Sequence, residues 1–123
     1  MSPAPRVGID LLEIDRLERA LKRRPRLAAR LFTDGEMAYS QSQARPAQHL
    51  AARFAAKEAA TKALGLAVLR PLEIEVEFCA DGSPQLLLSG SAASRAKKLG
   101  LVLGCSLTHS RSTAGAVVVG GPA

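Results

Sequence analysis

Residues 46–64 are the stretch that leaves the chain the fewest options. Pro46 suits the first turn of a helix, where its missing N–H costs nothing and its φ is already helical. The residues that follow are rich in alanine, the strongest helix former. Gly65 then stands where a left-handed cap would end the run. The length gives a single domain over residues 1–123, because two would each be too small to bury a good core.

The segments on either side have shorter periods. Residues 6–11 read as a strand in which Val7, Ile9 and Leu11 alternate with Gly8, Asp10 and Leu12. A helix is expected over 14–23, with Asp15 at the end where the dipole favours an acid, and Pro25 stops it. A short helical piece at 27–32 precedes Thr33-Asp34-Gly35-Glu36, which has the form of a capping box opening a helix from Asp34 to about Gln43. After the long helix, Leu72, Ile74, Val76 and Phe78 alternate with Glu73, Glu75 and Glu77, predicting a strand with one wet face over 72–79. The turn cluster 80–84 leads to a return strand at 85–89. A short helix at 91–99 follows, capped by Ser89 or Ser91, and then strands at 102–109 and 113–119. The expected class is α+β: a mainly antiparallel sheet packed with one long helix and several shorter ones.

Aromatic residues are 3% of the chain and Trp is absent, so the core is expected to be aliphatic. No apolar run approaches the roughly 18–20 residues needed to cross a bilayer, and the start lacks the apolar region of a secretory signal. The expectation is a cytoplasmic protein without membrane association. Cys79 and Cys105 are read as free thiols packed in strands. The net charge is +6, and it is concentrated: residues 16–30 carry seven Arg or Lys and one acid. Such a field points to an anionic partner: nucleic acid, an acidic protein or a phosphorylated small molecule. The plain alternative is a solvated helix face.

Three groups of residues have chemical potential. On the long helix, Glu58 and Lys62 stand four apart with the acid first, the arrangement of a helix ion pair. Phe54 lies one turn earlier on the same stripe and should face the core, so Glu58 falls on or beside a covered face, where a carboxylate needs a partner or a metal. On the first strand, Asp10 follows Gly8, whose missing side chain permits close approach of a backbone or ligand; the simpler role for Asp10 is to cap the next helix. Near the end, Ser106-Leu107-Thr108-His109-Ser110 offers hydroxyls and an imidazole for phosphate oxygens. His49 is read as structural.

Taken together, V-G-I-D at 7–10, R-F-A-A-K-E-A-A-T-K at 53–62 and S-L-T-H-S at 106–110 resemble the holo-[acyl-carrier-protein] synthases, the small class of 4′-phosphopantetheinyl transferases. L-F-T-D-G-E at 31–36 and D-G-S-P at 81–84 extend the resemblance along the whole chain. One stretch departs: after Gly65 the family has a Gly-Thr-Gly-rich segment, and this chain has Leu66-Ala67-Val68-Leu69-Arg70-Pro71. The resemblance implies transfer of the phosphopantetheine arm of coenzyme A to a serine of an apo acyl carrier protein, with adenosine 3′,5′-bisphosphate released. It implies Mg²⁺ at Asp10 and Glu58, and Lys62 on the phosphate charge. The serine proton goes to Glu58 or to a metal-bound water. It further implies Arg53, Lys62, Gly65 and His109 around coenzyme A. The acidic carrier protein would dock on Arg16, Arg19, Arg23 and Arg24. Active sites would lie between subunits of a homotrimer.

Two other classes fit the bare composition. A small basic nucleic-acid-binding protein fits the charge, but only four aromatics and no aromatic-rich strand argue against it. A phosphatase or nucleotidyl transferase would use the same two carboxylates and differ in its products.

Overall fold

The computed structural model describes residues 4–123. Strand β1 (Arg6–Glu13) leads into helix α1 (Ile14–Arg23), a short helix α2 (Leu27–Leu31), α3 (Asp34–Gln41) and the long α4 (Pro46–Leu64). A 3-10 turn (Pro71–Glu73) opens β2 (Ile74–Phe78), followed by β3 (Pro84–Leu88), α5 (Gly90–Leu99), β4 (Leu101–His109) and β5 (Thr113–Pro122). The strands form an antiparallel sheet in the order β1-β5-β4 and a separate β2-β3 hairpin. This is the expected α+β class.

Helix α4 is the centre of the molecule. Thirteen of its nineteen residues are buried, so it is enclosed rather than laid on one face. Alanine makes this possible: short side chains let the sheet, the hairpin and the other helices approach its backbone from several directions. The tightest approach is at Gly8, where a Cβ would stand 1.9 Å from the Ala59 carbonyl oxygen. β1 therefore turns its Gly8 side toward α4. Val7, Ile9 and Leu11 point outward and are 58%, 63% and 70% exposed.

The helix ends follow local rules. The Thr33 hydroxyl accepts from the Glu36 N–H at 3.2 Å, and Glu36 accepts from the Thr33 N–H at 2.9 Å. Gly65 closes α4 with φ +65°. Other boundaries shift: Leu72 belongs to the turn before β2, α3 stops at Gln41, and β5 runs on to Pro122. Ser89 precedes α5 but its side chain does not cap it. Glu73 does so from the 3-10 turn, accepting from the Ser91 hydroxyl and the Ala92 N–H. Cys105 lies in β4 with its thiol pushed up by burial, whereas Cys79 lies just beyond β2.

The buried polar group at the centre is Lys57 with Glu36, both side chains fully enclosed and 2.8 Å apart. The ammonium also donates to the carbonyls of Pro71 and Ile74, using its three protons. Glu36 accepts from the Val76 N–H as well. Burial lowers the Lys57 pKa and the Glu36 carboxylate pulls it back. One ion pair thus ties α3, α4, the 3-10 turn and β2 together.

Candidate active site

Gly8 sets the position of the first cluster. Its contact with α4 brings Asp10, two residues further along the same side of β1, against the flank of the helix that carries Glu58 and Lys62. Lys62 Nζ donates to the Ile9 carbonyl at 2.9 Å and stands 3.4 Å from Asp10 Oδ1. Glu58 has its pKa raised, first by partial burial and then by the negative charge of Asp10, with Lys62 opposing. The ion pair expected within the helix does not form: none of the three ion pairs among the described residues includes Glu58. Lys62 reaches across to β1 instead, because the strand offers it a carbonyl and a carboxylate together.

The donor set is two hard carboxylates whose mutual repulsion a cation would relieve. Among the described residues no group of three or more His, Cys, Asp or Glu gathers as a metal cage. That fits Mg²⁺, which is held by one or two carboxylates and completes its octahedron with phosphate oxygens and water.

The other flank of α4 carries a basic cavity of about 290 Å³. Arg53 is only 2% exposed, its guanidinium 4.4 Å from the Tyr39 ring centre and 4.9 Å from that of Phe78. Its Nη1 donates to the His49 carbonyl at 3.3 Å, and its Nε–H has no partner. Burial lowers its pKa, against the pull of Glu36 and Tyr39. No ion pair neutralises it among the described residues. A buried cation with a free donor is suited to an anion that arrives from outside. His109, at the end of β4, lines the same cavity with its ring against the Gln48 amide. His49 lines it too, although the sequence reading made it structural.

Arg53 and Glu58 are five residues apart on α4, about 140° around its axis. The sheet repeats the separation: Asp10 is on one edge strand and His109 on the other, with β5 between. One chain thus presents the carboxylates and the basic cavity on opposite flanks of α4.

At the C-terminal end of α4, two arginines absent from the sequence reading hold the last carbonyls. Arg6 Nε donates to Ala63 and Arg95 Nε to Leu64. They surround Gly65, where a Cβ would meet Arg6 Nη2 at 2.6 Å. Nothing in the local sequence marks them, since each comes from a distant element. Arg70, in the divergent loop, stands beside Glu73. The four α1-side arginines, Arg16, Arg19, Arg23 and Arg24, are all exposed. Arg24, Arg26 and Arg30 line a cleft where α1 meets α2. Asp15 pairs with Arg45 at 3.2 Å. No described helix is long and apolar enough to cross a membrane.

Comparison with known proteins adds an independent line. The family profile described as the 4′-phosphopantetheinyl transferase superfamily matches residues 6–117. A holo-[acyl-carrier-protein] synthase of Moorella thermoacetica is 45% identical over 115 residues, covering 91% of this chain and 90% of the relative. The Helicobacter pylori holo-[acyl-carrier-protein] synthase in complex with coenzyme A superposes with a TM-score of 0.80 at 28% identity, covering 94% of this chain and 99% of that one. A synthase–coenzyme A complex from Chronobacterium ammoniagenes superposes with a TM-score of 0.86 at 28% identity, covering 98% and 99%. With the three motifs falling on the two flanks of one central helix, the chain belongs to the 4′-phosphopantetheinyl transferase superfamily and is an enzyme of its holo-[acyl-carrier-protein] synthase type.

Proposed function

We propose that this enzyme moves the 4′-phosphopantetheine group of coenzyme A onto a serine of an apo acyl carrier protein. The observation that carries the reading is the cluster of Asp10, Glu58 and Lys62, two carboxylates and a cation drawn from β1 and α4. Mg²⁺, held by Asp10 and Glu58, supplies charge neutralisation at the pyrophosphate. The serine oxygen bonds to the β-phosphorus, the bond from that phosphorus to the bridging oxygen breaks, and adenosine 3′,5′-bisphosphate leaves with the electron pair. Phosphoryl transfer needs chiefly positioning and charge stabilisation. Lys62 supplies a half-exposed cation for the growing negative charge. The serine proton goes to a carboxylate oxygen of Glu58 or to a metal-bound water. Gly65, with Arg6 and Arg95 beside it, lets the backbone at the end of α4 come close to the ligand. Arg53 and His109 hold coenzyme A phosphate.

The opposite flanks favour a site shared between chains, with the carboxylates of one subunit facing the basic cavity of the next. The outer face of the three-stranded sheet is suited to such an assembly: Val7, Ile9, Leu11, Val102 and Val119 are all exposed there. Contiguous apolar surface of this kind marks an interface. The enzyme acts as a homotrimer of single-domain chains in the cytoplasm, in the service of fatty acid synthesis. Ile9→Lys is expected to leave the fold intact and to convert the trimer to monomer by light scattering, with transfer lost in the same preparation. A monomeric wild type, or a monomeric variant with full activity, would contradict the shared site.

The acidic carrier protein docks on Arg16, Arg19, Arg23 and Arg24. Arg16, Arg19 and Arg23 share a helix face. Each exposed contact contributes about 0–1 kcal/mol. Reversing Arg16 and Arg23 to Glu adds repulsion to the lost attraction. The carrier KM is expected to rise at least about tenfold, with that of coenzyme A little changed. Equal change in both would place docking elsewhere. The overall reading is tested by the small product: chromatography should show adenosine 3′,5′-bisphosphate, whereas inorganic phosphate would make the enzyme a phosphatase.

A further inference from the structure

The basic cavity on the β4 flank of α4 contains both of the chain's histidines. His49 is half-buried there. Its ring meets Tyr39 of α3 edge-on, with centres 5.8 Å apart and planes at 73°. Arg53 lies one turn further along its own helix, and His109 faces it from the end of β4. Among the described residues no carboxylate lines the cavity. The buried Arg53 adds an Nε–H with no partner. Two imidazoles and an unneutralised guanidinium around one cavity form a socket for a compact, doubly charged anion. Among the phosphates of coenzyme A the monoester on the ribose fits that description, while the pyrophosphate belongs with the carboxylate cluster where the bond is cut.

We propose that His49 is a proton-gated ligand of this phosphomonoester: binding of the phosphate draws a proton onto the His49 ring, and the ring thereby selects coenzyme A over its dephosphorylated form. The inference rests on the reading of the cavity as a coenzyme A phosphate socket. Without ligand, burial, then the Arg53 charge and then His109 hold the His49 imidazole below its usual pKa. The neutral ring is then favoured. A dianion placed between these groups reverses the balance and favours the imidazolium. The free group has the lower pKa and the bound group the higher one, so a proton is taken up on binding. Affinity must fall as pH rises, about tenfold per unit between the two values for one proton. The phosphomonoester itself ionises near pH 6. Above about pH 7 the ligand charge is constant and the slope belongs to the protein. The contribution of His49 is isolated by the difference between wild type and its variants.

The test is calorimetric binding of coenzyme A and of dephospho-coenzyme A to the full-length protein between pH 6.5 and 8.5. His49→Phe keeps the edge contact to Tyr39 without a titrating nitrogen, and His49→Lys keeps a charge throughout the range. At pH 7 His49→Phe is expected to bind coenzyme A about tenfold more weakly than wild type, with the gap closing toward pH 8.5. His49→Lys is expected to retain affinity at pH 8.5 with a flatter profile than wild type. Dephospho-coenzyme A should bind all three alike. Identical pH slopes for wild type and His49→Phe, or an equal loss for both ligands, would overturn the role of His49 while leaving the socket in place. A wild type that does not distinguish the two ligands at any pH would overturn the socket reading and this inference with it.

Discussion

Asp10→Ala and Glu58→Ala are each expected to reduce transfer by about a thousandfold or more at saturating Mg²⁺, with thermal unfolding close to wild type. Each variant removes one of the two carboxylates proposed to hold the metal. Metal stabilisation of phosphoryl charge is worth several kcal/mol, and each 1.36 kcal/mol is a factor of ten. Folding should not suffer, because neither carboxylate anchors the core. Among the described residues Asp10 pairs with the half-exposed Lys62 and Glu58 is in no ion pair. Removing Glu58 also removes a carboxylate whose protonation its surroundings already favour. Steady-state transfer and a melting curve on the same preparation check both halves. Near wild-type turnover in both variants would place the metal elsewhere.

Lys57→Met is expected to act in the opposite way, on stability rather than chemistry. Lys57 and Glu36 are fully enclosed, and the ammonium serves one carboxylate and two carbonyls. Breaking a buried pair by removing one partner costs about 3–5 kcal/mol, because the remaining charge is stranded. In a domain of this size that corresponds to a loss of roughly 10–20 °C in Tm. Adding Glu36→Gln removes the stranded charge and keeps an acceptor oxygen for one of the two amides, Thr33 or Val76, so the double variant should melt higher than Lys57→Met alone. A single variant within a few degrees of wild type would show that the pair contributes little.

These two neighbouring residues, Lys57 and Glu58, show which features the sequence made legible. Elements defined by local chemistry were readable: the Thr33–Glu36 capping box, Pro46 at the start of α4, and Gly65 in its left-handed cap. Asp10, Glu58 and Lys62 were readable as a set because their motifs resemble those of a family, and the fold brings them together. Features made by distant partners were not readable. Lys57 pairs with a residue 21 positions away. Lys62 chooses β1 over its own helix neighbour, Glu58. Glu73 caps α5 in place of the nearby serines. His49 has no distinctive local context; Arg53 lies one turn along the same helix, but only the folding of β4 against α4 brings His109 to the pair. The outward direction of Val7, Ile9 and Leu11 follows from Gly8 lying against Ala59, a contact between segments about fifty residues apart.

The central claim concerns a covalent change in another protein, so that change is the thing to measure. Intact-protein mass spectrometry of an apo acyl carrier protein, incubated with coenzyme A, Mg²⁺ and this enzyme, should show the gain of one phosphopantetheine group per carrier. Fragmentation should place it on a serine. The gain should vanish when the metal is chelated and in the Asp10→Ala and Glu58→Ala variants. An unmodified carrier protein after full incubation with wild-type enzyme, or modification that persists without divalent metal, would contradict the account.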